Sequence, residues 1–391
     1  MSFNVDFLVV GAGFSGLVMA EQLVRNLDAS VLIVDKRNHI GGNAHDYYDS
    51  SGVLIHAYGP HYFRTNSDKV RDYLSQFTEW HNVKYRIKSF ARGRYWSFPI
   101  NLNTFEEFIG RESSTEEFEL WLEQERISSG VPKNSEDVVV SQVGIKFFQL
   151  FFEGYTLKQW NRHPRELDAS VCGRIPVRTN RDDRYLNDSF QALPLNGYHV
   201  LFKKLLESIK HRVELRLNTQ YREILHEAQF RHLVFTGPID EYFNYCEGHL
   251  PYRSLRFEHE SFEPSKLLER ESVSGKRGFW QSAMQINYPE LSFPFSRIVE
   301  IKHATGQICP ATTIVREFPE SFTLGNEPYY PVPSPDSGRI YQRYKELAER
   351  EQNVTFVGRL ARYRYYNMDQ VVGMALAESA RLIAEIRKNK Y

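Results

Sequence analysis

A chain of 391 residues is longer than one hydrophobic core usually grows, so two or three structural units are expected. Lys plus Arg and Asp plus Glu both total 49 and no block of like charge stands out, which argues against nucleic acid or an anionic membrane as partner. Cys172, Cys246 and Cys309 form no CxxC pair, which argues against a dithiol redox enzyme, and no stretch approaches the ~18 apolar residues of a membrane span.

Three scattered cysteines suit a reducing compartment, and MSFNVDFLVV lacks the basic segment of a secretory signal, so a cytoplasmic location is expected. No metal site is expected. Aromatic residues reach 14%, including 23 Tyr and 27 Phe. A Phe-rich core accounts for much of this. Tyrosine stacks its ring while its hydroxyl seeks a polar partner, which suits a site for a polar, ring-containing ligand.

In chain order, FLVV (7–10) reads as a buried parallel strand ending at Gly11. Leu17, Ala20, Leu23, Val24 and Leu27 recur at helical spacing, and VLIV (31–34) reads as a second buried strand ending at Asp35. Together they make a βαβ unit. The segment DKVRDYLSQF after Ser67 predicts an amphipathic helix, and residues 103–175 carry helical patterns with few strand signals. From 176 to about 330 the pattern is mixed, with HLVFTG (232–237) and FSRIVEIKH (295–303) reading as strands. VTFVGR (354–359) reads as a further buried strand. A helix follows from about Asp369 to Arg387, with Val372, Ala375, Leu376, Ser379, Ile383 and Ile386 on one face.

Gly11-Ala12-Gly13-Phe14-Ser15-Gly16 matches G-x-G-x-x-G in the context the motif requires, after a strand and before a helix. Gly11 permits the tight turn, Gly13 lets backbone approach a pyrophosphate, and Gly16 lets the helix pack on the strand. The helix amino end supplies free N–H groups to the phosphates, and an acid such as Asp35 accepts hydrogen bonds from ribose hydroxyls. The bland alternative is a glycine-rich turn with no ligand. Two features favour FAD over NAD. Arg37 to Asn43 (RNHIGGN) brings a second glycine pair close to the first, and Gly358-Arg359 opens another strand–glycine–helix unit. Such an arrangement resembles flavoproteins of the glutathione-reductase-like superfamily. The expected cofactor contacts are Gly11, Gly13, Phe14, Ser15, Gly16, Asp35, Lys36, Gly42, Asn43, Gly358 and Met368.

Sharper signals follow in order along the chain. They are RNHIGGN (37–43), GPHYFRTN (59–66), GYTLKQW (154–160), RIPVR (174–178), TGPID (236–240), YRSL (252–255), EPYYPV (327–332), GRLA (358–361) and Tyr365-Tyr366. Together they resemble the bacterial UDP-galactopyranose mutases. That resemblance implies an α/β fold: a FAD-binding Rossmann-like domain, a helical insertion and an antiparallel-sheet substrate domain. The expected units are 1–85 with 205–240 and 350–391 for FAD, 103–175 for the helices, and 86–102, 176–204 and 241–349 for substrate.

The resemblance also implies the reaction. A nucleotide-activated hexopyranose becomes its furanose with no net redox change, and flavin N5 of reduced FAD attacks the anomeric carbon and displaces the nucleoside diphosphate. The furanose would feed surface polysaccharide such as lipopolysaccharide O-antigen. Arg174 and Arg297 match the arginines that grip the diphosphate, and Tyr185, Tyr330 and Tyr365 match tyrosines that donate to it. Tyr155 and Trp160 match residues at the nucleotide, with core packing as their bland alternative, and Asn287 is expected near the nucleotide or diphosphate. Arg253 and Arg359 match arginines near the flavin or its phosphates, and His61 matches the histidine beside its ring. A homodimer is left open.

Two positions leave the pattern: Arg64 stands where these enzymes carry His, and Asn367 where they carry Asp. Arg64 exchanges a titratable ring for a longer, permanently charged fork, which puts the sugar in doubt. Mutases for UDP-N-acetylgalactosamine and for 6-deoxy sugars on a thymidine carrier are the alternatives. At position 64 the bland alternative is a side chain directed to solvent. Rival classes are an amine-oxidase-like flavin oxidoreductase and a non-catalytic nucleotide-sugar binding protein.

Overall fold

The computed structural model describes residues 3–127, 130–323 and 325–388. Strand Phe3–Val10, helix Phe14–Leu27 and strand Val31–Val34 form the expected βαβ unit, with Phe7 beside Val31 and Val10 beside Val34. Successive residues of a strand point to opposite faces, and here both faces are covered. Phe7 and Val9 pack with Leu17, Leu23 and Val372 on one side, whereas Leu8 packs with Tyr221, Ile239 and Tyr344 on the other. This is why Phe7–Val10 and Val31–Val34 run apolar at every position rather than alternating.

The sheet has five strands, all parallel, in the order Val213–Arg216, Val31–Val34, Phe3–Val10, Ala228–Phe235, Val354–Phe356. The closing helix, Met368–Lys388, lies against Phe14–Leu27, so the two ends of the chain share one core. Helix Gly197–Ile209 also packs on Phe14–Leu27, and the expected boundary at 204/205 falls inside it.

The helical region holds Leu102–Ile109, Thr115–Glu125, Ser135–Phe147 and Glu153–Trp160. Asn101, Ser114 and Asn134 cap the first three, each side chain accepting a backbone N–H of the first turn that the helix itself leaves unpaired. Phe148–Phe152 forms a π-helical turn between the last two. It buries Phe148, Leu150, Phe151 and Phe152 together and hands the chain to the helix that carries Tyr155 and Trp160.

The second sheet has seven strands: Tyr330–Pro331, Tyr252–Phe262, Thr312–Ser321, Arg297–Val299, Gln285–Asn287, Ile87–Ala91 and Arg94–Phe98. It is mixed rather than purely antiparallel, because Gln285–Asn287 runs parallel to Ile87–Ala91. That pair is joined through the whole helical region and half of the Rossmann unit, and so long a connection removes the hairpin constraint that imposes antiparallel neighbours. Phe190–Pro194 stands apart from this sheet and pairs with Phe63–Thr65 and Trp80–Asn82.

The expected strand over 295–303 is shorter than read. Pairing covers Arg297–Val299, and Lys302–Thr305 is a helical turn. Two charged residues of this segment, Glu300 and Lys302, are buried anchors. The Glu300 carboxylate accepts from the backbone N–H of Trp280 and Gln281 and from the Thr312 hydroxyl, and Lys302 Nζ donates to the carbonyls of Gly278 and Ala311.

Candidate active site

The first part of the site is a cradle made of backbone. Gly11 has φ 104°, in the region glycine favours, and turns the strand into the helix. At Gly16 a Cβ would fall 1.9 Å from the Gly11 carbonyl oxygen, so only glycine lets the helix approach the turn. The second glycine loop nests on the first: Gly41 N–H donates to the Ala12 carbonyl at 2.8 Å. Asp35 accepts the N–H of Ala12 at 2.7 Å and of Arg37 at 2.9 Å. A carboxylate has about four lone-pair sites, so two remain for a ligand.

Around these loops lies a cavity of about 1240 Å³, its open mouth included. Its lining takes in Asp35, Lys36, Thr219, Gly237 and Glu241, then Gly11, Gly13, Phe14, Ser15, Gly42, Asn43 and Thr236, then His61, Arg359 and Met368. Glu327 spans the cavity edge, pairing with Lys36 at 3.0 Å and with Arg37 at 3.2 Å. Arg37 also donates to Asn43 Oδ1 at 2.9 Å and lies over the Tyr58 ring. Gly358 has φ 108° and approaches Ser15, closing the same wall from the other end of the chain.

His61 links this cavity to what lies beyond it. Its N–H donates to His56 Nδ1 at 3.0 Å and its Nδ1 lies 3.0 Å from the Gly59 carbonyl, which makes Nδ1 the protonated nitrogen and leaves Nε2 as an acceptor. Burial lowers its pKa to about 4, against the hydrogen bond to Gly59, so the ring is neutral near neutral pH.

The second part of the site is a cleft made of side chains. Arg174 stacks on Tyr365, its guanidinium carbon 4.7 Å from the ring centre, and Arg359 lies 5.4 Å from the rings of both Tyr330 and Tyr365. Trp160 packs beside them, 5.8 Å from Tyr365 and 6.3 Å from Tyr330 between centroids. Trp160 is buried with Leu167 and Val332, so its core role and its place at the cleft are one role. Arg297 approaches the cleft from the seven-stranded sheet. Among the described residues it forms one ion pair, with Glu317 on the neighbouring strand, at 2.8 Å. Arg297 Nε has no hydrogen-bond partner among the described residues.

The electrostatics of these groups are mutual. Burial opposes ionisation of Tyr365, but Arg174, Arg359 and Arg297 outweigh it and hold its pKa below that of a free phenol. Burial likewise opposes the charge on Arg174, yet the phenols of Tyr365, Tyr185 and Tyr155 raise its pKa. Burial pushes the Tyr155 and Tyr330 phenols upward, and Arg297 pulls both back. Three guanidinium groups thus share a cleft with one buried carboxylate, leaving positive charge unmatched until an anion enters. Arg359 belongs to both parts. It lines the cavity and joins the tyrosine cluster, and its Nε and Nη2 donate to the Tyr366 carbonyl at 3.1 and 2.6 Å.

A family model described as UDP-galactopyranose mutase matches residues 150–365, the span that supplies most of the cleft, and a model of an NAD(P)-binding Rossmann-like domain matches residues 9–77. The chain belongs to the UDP-galactopyranose mutase family. A probable UDP-galactopyranose mutase of Klebsiella pneumoniae is 34% identical over 98% of this chain and 96% of its own length. A dTDP-fucopyranose mutase of Escherichia coli is 33% identical, covering 98% and 99%. A crystal structure of reduced UDP-galactopyranose mutase shares the fold at TM-score 0.73 and 16% identity, over 97% of this chain and 94% of that one.

Other family-matched positions lie elsewhere or act indirectly. Arg253 is not among the residues lining the large cavity. It is buried, and its guanidinium donates to the carbonyls of Gln159 and Lys158 and to Ser321, tying a helix end to the sheet. Asn287 is buried, and its Oδ1 accepts from Gln285, whose own Oε1 accepts from the Tyr62 hydroxyl. Arg64 is not directed to open solvent: its Nη1 pairs with Asp188 at 2.6 Å, with side chains 22% and 11% exposed. Asn367 stands just before the closing helix, its N–H bonded to Gln370 Oε1. Asp369, two residues on, has its pKa raised by burial, lowered by the Thr65 hydroxyl and Arg64, and raised again by Asp188, which places these charges in one neighbourhood.

Sequence reasoning missed Glu317, Tyr62, Arg37 and Glu327 as parts of the site. Arg37 and Glu327 sit inside motifs already singled out, so a charge pairing between those motifs was a usable signal. Glu317 gave none, because its relation to Arg297 exists only in the strand register.

Proposed function

We propose that this chain is a flavin-dependent isomerase that interconverts a nucleotide-diphosphate hexopyranose and its furanose, with FAD in the cradle and the nucleotide sugar in the cleft. The observation that carries this reading is the adjoining of the two parts. A dinucleotide cradle opens at His61 and Arg359 onto a cleft with three arginines and only one buried carboxylate. The residues fit FAD: the glycine loops would take the pyrophosphate, Asp35 the ribose, and His61 with Met368 the flavin end. When bound in its reduced form, FAD would supply an electron-rich nucleophile with no net redox change.

The chain's own residues do the remaining work. Arg174 and Arg297 would hold the diphosphate as it leaves the sugar and keep it in place for its return. Tyr365, acidified by its arginines, is a strong hydrogen-bond donor to phosphate oxygen, and Tyr185 and Tyr330 complete the shell. Tyr155 would stack on the base and Trp160 would floor the cleft. Neutral His61 can accept a hydrogen bond at Nε2 without adding charge beside the flavin.

UDP-galactopyranose and dTDP-fucopyranose are the first substrates to test, because relatives bearing both names are equally similar to this chain. The Arg64–Asp188 pair favours the reading in which the sugar is not plain galactose. A panel of UDP- and dTDP-sugars, with reduced and with oxidised enzyme and product NMR, decides both points. Conversion only by the reduced enzyme is expected. Consumption of oxygen or an acceptor at each turnover would replace this reading with the oxidoreductase one, and a colourless protein would replace it with the binding-protein one. The three-unit division, a soluble cytoplasmic setting and a homodimer are proposed with it. No helix among the described residues is long and apolar enough to cross a membrane.

A further inference from the structure

Helix Glu153–Trp160 carries Tyr155 and Trp160, and the strand pair Gln285–Asn287 and Arg297–Val299 carries Asn287 and Arg297. The loop between those two strands wraps around one side chain of the helix. Lys158 Nζ donates to the carbonyl oxygens of Glu290, Phe293 and Phe295 at 2.9, 3.1 and 2.9 Å, and to that of Tyr288. An ammonium has three protons, so four acceptors saturate it. One turn earlier, Gly154 rests on the same loop: a Cβ there would lie 2.4 Å from the Pro289 carbonyl oxygen. On its other side the helix is held by Arg253, which takes the carbonyls of Lys158 and Gln159.

We infer that Lys158 is a positioning residue whose ammonium sets Arg297 and Asn287 against Tyr155, fixing the diphosphate and base halves of the substrate site in one register. The inference rests on the nucleotide-sugar reading above. Four carbonyl dipoles that converge on one point are held together by the cation between them. Without it they repel one another, and the loop that leads into Arg297 opens. Arg297 is the first residue of its strand: its backbone pairs with Asn287 and Glu317, and its guanidinium meets the Glu317 carboxylate at 2.8 Å. The sheet therefore holds Arg297 on one side, and the loop that Lys158 closes, which enters the strand through Phe295, holds it on the other.

The test is chemical rescue in the FAD-loaded protein. Lys158→Ala leaves a channel ending in four carbonyls, which ethylammonium fills and tetramethylammonium, having no N–H, cannot serve. The expected result is retained flavin, UDP affinity about tenfold weaker, a raised KM with a smaller change in kcat, and recovery with ethylammonium alone. Lys158→Met keeps the volume without the charge, so it should show the same weakening and no recovery. Wild-type UDP affinity in the alanine variant overturns the inference, as does equal recovery with both amines or recovery in the methionine variant. A second readout does not depend on the ligand. Hydrogen exchange of 153–160 and 288–297 should rise in Lys158→Ala and return with ethylammonium. A wild-type protein that binds neither UDP nor dTDP sinks the functional reading, while the exchange experiment still tests the lysine.

Discussion

The cradle and the cleft meet at Arg359 but are built from different materials. The cradle is backbone: two glycine loops, a helix amino end and one carboxylate already engaged by backbone N–H groups. All of it comes from a continuous stretch of 43 residues, closed by Gly358 from the far end. The cleft is side chain. Arg174 comes from the helical region, Arg297 from the seven-stranded sheet, and Tyr330, Arg359 and Tyr365 from the last quarter of the chain. A cradle of that kind is specified by local sterics and can fail through one added atom. The cleft is specified by the whole fold and fails through lost charge.

Breaking the cradle should have the largest effect. Gly13 faces the Gly42 loop across a gap that a single Cβ fits, with 3.6 Å to Gly42 Cα, but a branched side chain would occupy the phosphate position. Gly13→Val should purify without flavin and without activity while keeping its helical circular dichroism. A variant that retains full flavin absorbance contradicts the cradle assignment. Breaking the cleft should separate the two parts. Arg174→Ala and Arg297→Ala should keep flavin and each lose roughly a hundredfold or more in turnover, because each would remove a charged donor from the proposed diphosphate site. Near-wild-type kinetics in either variant would return that arginine to a packing role.

The same contrast explains what the sequence made legible. Phe7–Val10 and Val31–Val34 read as buried strands because both faces are covered, and the glycine spacing then has one local meaning. The cleft was legible only through family resemblance, since no local pattern brings Arg174 beside Tyr365. Arg253 shows what residue-by-residue transfer leaves out: its motif is present, and its guanidinium ties helix to sheet outside the large cavity. Segment 295–303 misled for a related reason. Its Glu300 and Lys302 are buried anchors whose partners lie up to twenty-four residues away.

The middle-sized effect sharpens the cleft. Arg64, Asp188 and Asp369 form a charged group close to Asn367, at the amino end of the closing helix. Arg64→His with Asn367→Asp should shift relative kcat/KM toward UDP-galactopyranose by about tenfold, or ~1.4 kcal/mol. Asp188→Asn should by itself free the guanidinium and weaken the original preference. An unchanged order across the sugar panel removes both positions from specificity.

The smallest effect compares the seam between the two parts with the far edge of the Rossmann sheet. His56 and His61 sit in the seam, with pKa values lowered by burial to about 3 and about 4. His232 sits on strand Ala228–Phe235, bonded to the Thr355 hydroxyl at 2.8 Å, and burial lowers it to about 4. In the unfolded chain each imidazole titrates near 6.5, as a free one does. Between about pH 6.5 and pH 4 the unfolded state therefore binds more protons than the folded state. The stability these neutral rings contribute is full above that window and is lost as pH falls through it. The melting temperature of the wild-type protein should fall across the window. His232→Gln keeps a partner for Thr355 but cannot take up a proton, so it should flatten the fall by at most about 1 kcal/mol, the site being only partly buried. The seam should answer differently. Protonating His61 puts a cation beside Arg359, so acid should release flavin before the sheet melts. Flavin absorbance and circular dichroism followed together from pH 7 downward would show flavin loss first, and simultaneous loss would mean that seam and sheet titrate as one unit.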